Sequence, residues 1–199
     1  MLSRRDILQR ASLAIGYAIT GSTAAAVLGG CRVDPRLGWV PRLLTPQQAL
    51  TVAAMADHLL PATTTPGAAD LQVERFIDAA LHDYGSDDDQ LRFIEGLGEF
   101  DAACQTMFEK SFIGLTKDER DGIFRHYEQV SPSIAPTIWG GQITDVVEPP
   151  VFYRQFKQLA LVGYFNSEKV GEELLAYDPI PGRFDPCIPA STVGKAWSL

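Results

Sequence analysis

The chain has 199 residues, is 46% hydrophobic, and carries 25 acidic against 17 basic residues for a formal net charge of −8. That length supports one domain with one real core. A surface so acidic repels phosphate backbones, which argues against nucleic-acid binding.

The first thirty-one residues read as processing sequence and stand outside any fold argument. Ser3-Arg4-Arg5-Asp6-Ile7-Leu8-Gln9 resembles the twin-arginine export consensus, with Ile7 and Gln9 where Phe and Lys are usual. Ala11 to Leu28 carries no charge and is rich in Ala, Gly and Thr. A membrane-spanning helix needs about 20 predominantly apolar residues; Gly16, Thr20, Gly21, Ser22 and Thr23 weaken this stretch, although a retained N-terminal anchor stays open. Leu28-Gly29-Gly30-Cys31 resembles a bacterial lipobox, which makes Cys31 the expected lipidation site. Ala24-Ala25-Ala26 offers an ordinary peptidase the alternative cleavage. Twin-arginine export carries proteins that have already folded, as is needed when a cofactor or partner is added before crossing. The expected organisation is a signal over 1–31, a tether over 32–44 and one helical domain over 45–199. Without residues 1–31 the remaining 168 hold 14 basic and 24 acidic residues, a charge of −10.

The tether contains two prolines and one glycine with little periodicity. A first helix opens at Thr45-Pro46-Gln47-Gln48, where Thr45 caps, Pro46 suits the first helical position and Gln48 completes a capping box. Ala49, Val52, Ala53, Ala56, Leu59 and Leu60 recur at helical spacing until Pro61 ends the run. After a Thr/Pro/Gly loop, Asp70 is the expected cap of a second helix with a Val73, Phe76, Ile77, Ala80, Leu81 stripe. Asp87-Asp88-Asp89 suit the positive end of a third helix. Its expected buried positions are Leu91, Ile94, Leu97, Ala102, Cys104, Met107 and Phe108, with Gly96 and Gly98 as points where it can break. Thr116 to Glu119 form another capping box before Ile123, Phe124 and Tyr127. Residues 131–150 are Pro- and Gly-rich and irregular. A helix from about Pro150 presents Phe152, Phe156, Leu159 and Val162, and Ser167 caps a short last one running to Tyr177. Asp178 to Leu199 holds four prolines and forms an irregular tail. No alternating stretch or Asn-Gly hairpin signal stands out. The expected fold is all-α, with five or six helices.

The catalytic inventory is poor. His58, His82 and His126 stand apart, each in a helical pattern, and Asp57 beside His58 does not share its helix face. H-E-x-x-H, C-x-x-C, G-x-G-x-x-G and G-x-S-x-G are all missing, so metal, nucleotide and nucleophile sites lack their usual signatures. No catalytic, cofactor-binding or metal-binding residue is assigned. Cys104 and Cys187, 83 positions apart, are a candidate disulfide pair in an oxidising compartment. Aromatics concentrate in the window 152–165, which reads mainly as core. The tail differs, because an irregular segment stays ordered only against something, and partner surfaces favour aromatics and Arg. Arg183, Phe184 and Trp197 are therefore candidate partner contacts.

A resemblance to a known family runs through the mature chain in order. It comprises the signal, Leu44-Thr45-Pro46-Gln47-Gln48, Asp57-His58-Leu59-Leu60-Pro61, Thr64-Thr65-Pro66-Gly67-Ala68 and Val73-Glu74-Arg75-Phe76-Ile77-Asp78. Phe112-x-x-Leu115-Thr116, Leu161 to Ser167, and Tyr177 to Cys187 complete it. Together these resemble the gluconate 2-dehydrogenase subunit 3 family. The resemblance implies a non-catalytic small subunit of a membrane-associated sugar or sugar-acid dehydrogenase. A large flavoprotein of the glucose-methanol-choline type would hold FAD, a cytochrome c subunit with haem would take the electrons, and the small subunit would bring its partner through the Tat translocase. The implied location is the periplasm, at the membrane through complex or lipid anchor. A lipobox is not general in that family, and gluconate is only its label. Other classes stay open: a stand-alone periplasmic enzyme, a lipoprotein binding module, or an export chaperone that releases its client.

Overall fold

The computed structural model describes residues 37–131, 151–178, 180, 182 and 187–198. The chain divides into units 1–40 and 41–199, and every element below belongs to the second. Among the described residues there are six α-helices, one 3-10 turn, one π-helical turn and a single isolated β-bridge. The fold is all-α.

Helix α1 spans Pro46–Leu59. The Thr45 hydroxyl accepts from the Gln48 amide at 3.3 Å while the Gln48 side chain accepts from the Thr45 amide at 2.9 Å, so both strands of the expected capping box are present. Ala49, Val52, Met55 and Ala56 form its buried face. Helix α2 spans Val73–Tyr84 and buries Val73, Ile77, Asp78 and Leu81. Its N-cap is Gln72 in the left-handed region at φ 54°, not Asp70. The Asp70 carboxylate accepts from the Gly67 amide at 2.9 Å, within the turn before the helix, and so is engaged one step too early to cap it.

Helix α3, Asp87–Phe108, runs unbroken for 22 residues from a Ser86/Asp89 capping box, with three acids in its first turn. Its buried stripe is Phe93, Leu97, Phe100 and Cys104, steps of four and three that keep one face at the helical period. The expectation for this helix was partly wrong. Leu91 points to the opposite side and is 55% exposed, and Met107, in the last turn, is 49% exposed. The glycines do not break the helix. Gly96 instead admits a neighbour, because a Cβ there would lie 2.8 Å from Cγ of Phe152.

A 3-10 turn, Phe112–Gly114, leads to α4, Lys117–Val130, which opens on the expected Thr116/Glu119 capping box. Helix α5, Phe152–Phe165, buries Tyr153, Phe156, Ala160, Gly163 and Tyr164 and packs on α2 and α3. Val162, expected inside, is 42% exposed. Arg154 ties α5 to the end of α4: Nη1 meets Glu128 Oε1 at 2.6 Å, and Nη2 donates to the Glu128 and Ser131 carbonyls at 3.2 Å each. Those carbonyls lie where a helix end leaves acceptors without intrahelical donors. The π-helical turn Val170–Leu174 follows, shorter than the expected helix to Tyr177. Helix α6, Ala190–Val193, is one turn in the tail.

The core is aromatic. The Phe100 ring lies 5.4 Å from Phe112, 4.9 Å from Tyr127 and 5.9 Å from Phe152, joining α3, α4, α5 and the 3-10 turn. Phe93, Phe100, Phe112 and Phe156 are all completely buried. Each contributes about 1.5–3 kcal/mol relative to an exposed position, so this cluster dominates the packing of unit 41–199.

Candidate partner-docking site

A concavity lies where α1 ends, α5 ends and the π-helical turn begins. Pro61 cannot continue α1, and the Leu60 amide closes the helix on Ala56 O at 2.9 Å. The loop then folds back so that the Ala68 amide donates to Leu60 O at 2.8 Å. Tyr164, almost buried on α5, donates its hydroxyl to Pro66 O at 2.9 Å and fixes the loop to that helix. Ser167 ends α5 by donating its hydroxyl to Tyr164 O at 2.7 Å, and its own carbonyl accepts from Gly171 as the next turn starts.

Between these pieces is a groove of about 380 Å³ whose walls include Leu59, Leu60, Pro61, Tyr164, Phe165 and Leu174. Among the described residues no charged one lines it. Its rim is open and apolar, with Phe165 43% exposed. Three of the segments that carry the family resemblance, at 57–61, 64–68 and 161–167, meet here, the third joined to the second by the Tyr164–Pro66 bond across 98 positions. Sequence periodicity could not single the groove out, since Leu59 and Leu60 read equally well as core.

The tail returns to the same place. The Ala176 amide donates to Ala196 O at 2.7 Å and the Ser198 amide to Ala176 O at 2.9 Å, a parallel bridge of Ala176 with Trp197. Lys195 adds an Nζ bond to Glu173 O at 3.0 Å. Trp197 is thereby pinned by its backbone one residue beyond the groove wall at Leu175, yet its side chain is 53% exposed. Tyr177 beside Ala176 is 52% exposed. Arg183 and Phe184, the other expected tail contacts, lie outside the described residues, as do Arg4, Arg5 and Cys31.

Cys104 and Cys187 are both free thiols in this structure. Cys104 is completely buried on α3; burial, with the Asp101 charge adding to it, pushes its thiol up to about 12. Such a thiol is unreactive. Cys187 is exposed.

Of the histidines, His58 has the most structured surroundings. Its side chain is 10% exposed, Nε2 is 2.9 Å from Asp121 Oδ1 on α4, and its ring meets Phe124 edge-on at 5.0 Å. Burial lowers its pKa; Asp121 pulls upward, and Arg120 and Lys117 pull downward. Among the described residues no group of three or more His, Cys, Asp or Glu gathers as a metal site requires, and no helix is long and apolar enough to cross a membrane.

The family model for gluconate 2-dehydrogenase subunit 3 matches residues 46–182. The chain belongs to that family. Comparison with curated proteins and with solved structures gave no match. The matched span contains every segment that builds the groove and stops before Trp197. The tail contacts are accordingly a property read from this chain's own residues.

Proposed function

We propose that this chain is the non-catalytic small subunit of a periplasmic, membrane-associated dehydrogenase complex, whose large subunit is a glucose-methanol-choline-type flavoprotein. Family membership over 46–182 carries the reading, because a subunit 3 by its description has partner subunits. In this arrangement FAD belongs to the large subunit and haem to a cytochrome c subunit, while the present chain supplies none of the redox chemistry. Its task is export, assembly and anchoring. Arg4-Arg5 addresses the folded assembly to the Tat translocase, and a lipid on Cys31 holds it at the membrane afterwards.

The physical requirement for such a carrier is slow dissociation. A partner without its own signal crosses only if the complex outlives transit, and affinity among related complexes is tuned mostly through the off-rate. A rigid helical unit with a preformed apolar surface suits that need, because little ordering entropy is lost when the partner docks.

Replacing Arg4 and Arg5 together by Lys tests the proposal. Both this chain and the flavoprotein should then remain in the cytoplasm. Arrival of the flavoprotein in the periplasm regardless would refute the carrier role. In the same fractionation, Cys31→Ala should move the exported protein from membrane to soluble fraction; unchanged fractionation would remove lipid anchoring from the account.

A further inference from the structure

We propose that the groove between Pro61, Phe165 and Leu174, continued by Trp197, is the seat of the large subunit, and that its occupant is an uncharged segment presenting two or three large apolar side chains. This rests on the small-subunit reading above and names the surface through which it works.

Charge selects the occupant. Among the described residues the groove lining is uncharged, so an ionic anchor placed against it would lose its water without gaining a counter-charge from them. A second copy of this chain would bring a net −8 against a net −8, and an anionic lipid leaflet would be repelled in the same way. The small-subunit reading supplies the occupant that fits: an apolar segment of the large subunit. The groove's volume of about 380 Å³ is room for a few large side chains.

The backbone says how the segment is held. Around the groove the amides of Leu60, Ala68 and Leu175 already donate to Ala56, Leu60 and Val170. The occupant is therefore gripped by side-chain packing, not by addition of a strand. Leu174, Leu175 and Phe165 line the groove, and Ala176, next after Leu175, pairs through its backbone with Trp197. Trp and Tyr are the residues most enriched among those that dominate interface affinity; here Trp197 and Tyr177 are half-exposed on backbone that is already fixed.

The test uses the full chain co-expressed with its flavoprotein. A photo-crosslinking phenylalanine analogue is placed at Thr63 or Phe165, both on the groove, and at Leu91 on the outer face of α3 as control. The groove positions should crosslink to an uncharged, apolar peptide of the large subunit, identified by mass spectrometry, and Leu91 should not. In parallel, Phe165→Asp should cut the recovered flavoprotein by about tenfold or more with an unchanged circular-dichroism spectrum, while Leu91→Asp should leave recovery intact. Several outcomes overturn the proposal: a complex that forms but crosslinks only through Leu91, a crosslink to a second copy of this chain or to lipid, or full recovery with Phe165→Asp. Those would leave the small-subunit reading standing. If the unsubstituted chain recovers no flavoprotein at all, both fall together.

Discussion

Asp78 is a charged residue that the second helix hides almost completely, at 1% exposure. Its carboxylate accepts three backbone amides from the incoming chain: Arg42 at 2.7 Å, Leu43 at 3.1 Å and Leu44 at 2.8 Å. Ordered structure thus begins ahead of Thr45, since the last residues of the expected tether are fastened to α2. Leaving buried donors unsatisfied costs about 1–3 kcal/mol each. Asp78→Ala should therefore destabilise the protein by about 3 kcal/mol, read as a lower denaturation midpoint with unchanged slope. A loss under about 1 kcal/mol would mean that water replaces the carboxylate. The sequence offered little warning, because an aspartate in a helical stripe reads as solvated.

His58 makes a pH-dependent statement at the same scale. Two effects compete there: Asp121 at 2.9 Å favours the charged ring, and burial among Phe112 and Phe124 opposes it. Burial wins, and the folded pKa falls below the ordinary 6.5. The unfolded chain therefore binds a proton first on acidification. The stability from neutral His58 is fully present above about pH 6.5 and is lost as pH falls through the depressed folded value. Comparing melting temperatures at neutral and mildly acid pH, the wild type should lose more than His58→Phe. Equal losses would mean that Asp121 offsets burial and the folded pKa is not lowered. The partner could not be read from the sequence, since His58 and Asp121 are 63 positions apart.

Among elements, the helices with written caps were the legible ones. Thr45/Gln48 and Thr116/Glu119 start α1 and α4 where the sequence says, because a capping box is local and needs no tertiary partner. Faces were less legible. On α3 the apolar residues cover too much of the circumference, and only packing against α5 and the 3-10 turn chooses Phe93, Phe100 and Cys104 over Leu91. Glycines report that packing. Gly163 on α5 lies under Phe76 of α2, and a Cβ would fall 2.6 Å from the ring's Cδ1. Gly98 on α3 faces open space. Gly163→Ala should cost about 1–3 kcal/mol by forcing α2 from α5. Gly98→Ala should gain about 0.5–1 kcal/mol from helix propensity alone. Thermal unfolding of the two variants checks both signs; like signs would mean the α2–α5 approach is looser than described.

At the level of the whole molecule, the fold class and family were readable because both are spread along the chain, one in helical periodicity and the other in short segments kept in order. The candidate site was not, for a physical reason: it is assembled from 59–65, 164–165 and 170–175, and the Tyr164–Pro66 bond and the turn at Ser167 help bring those pieces together. Trp197 was legible as a residue wanting a partner, while its place beside the groove depends on the bridge to Ala176. The central claim, a small subunit serving a flavoprotein, is tested most directly by purifying the full-length chain from membranes of cells that also express the candidate large subunit, and recording the visible spectrum of the eluate. The account predicts a stoichiometric second polypeptide and bound-flavin absorption, with dehydrogenase turnover that stays with that polypeptide when this chain is separated from it. A chain that elutes alone and colourless, or that alone turns over a sugar or sugar acid, would contradict it.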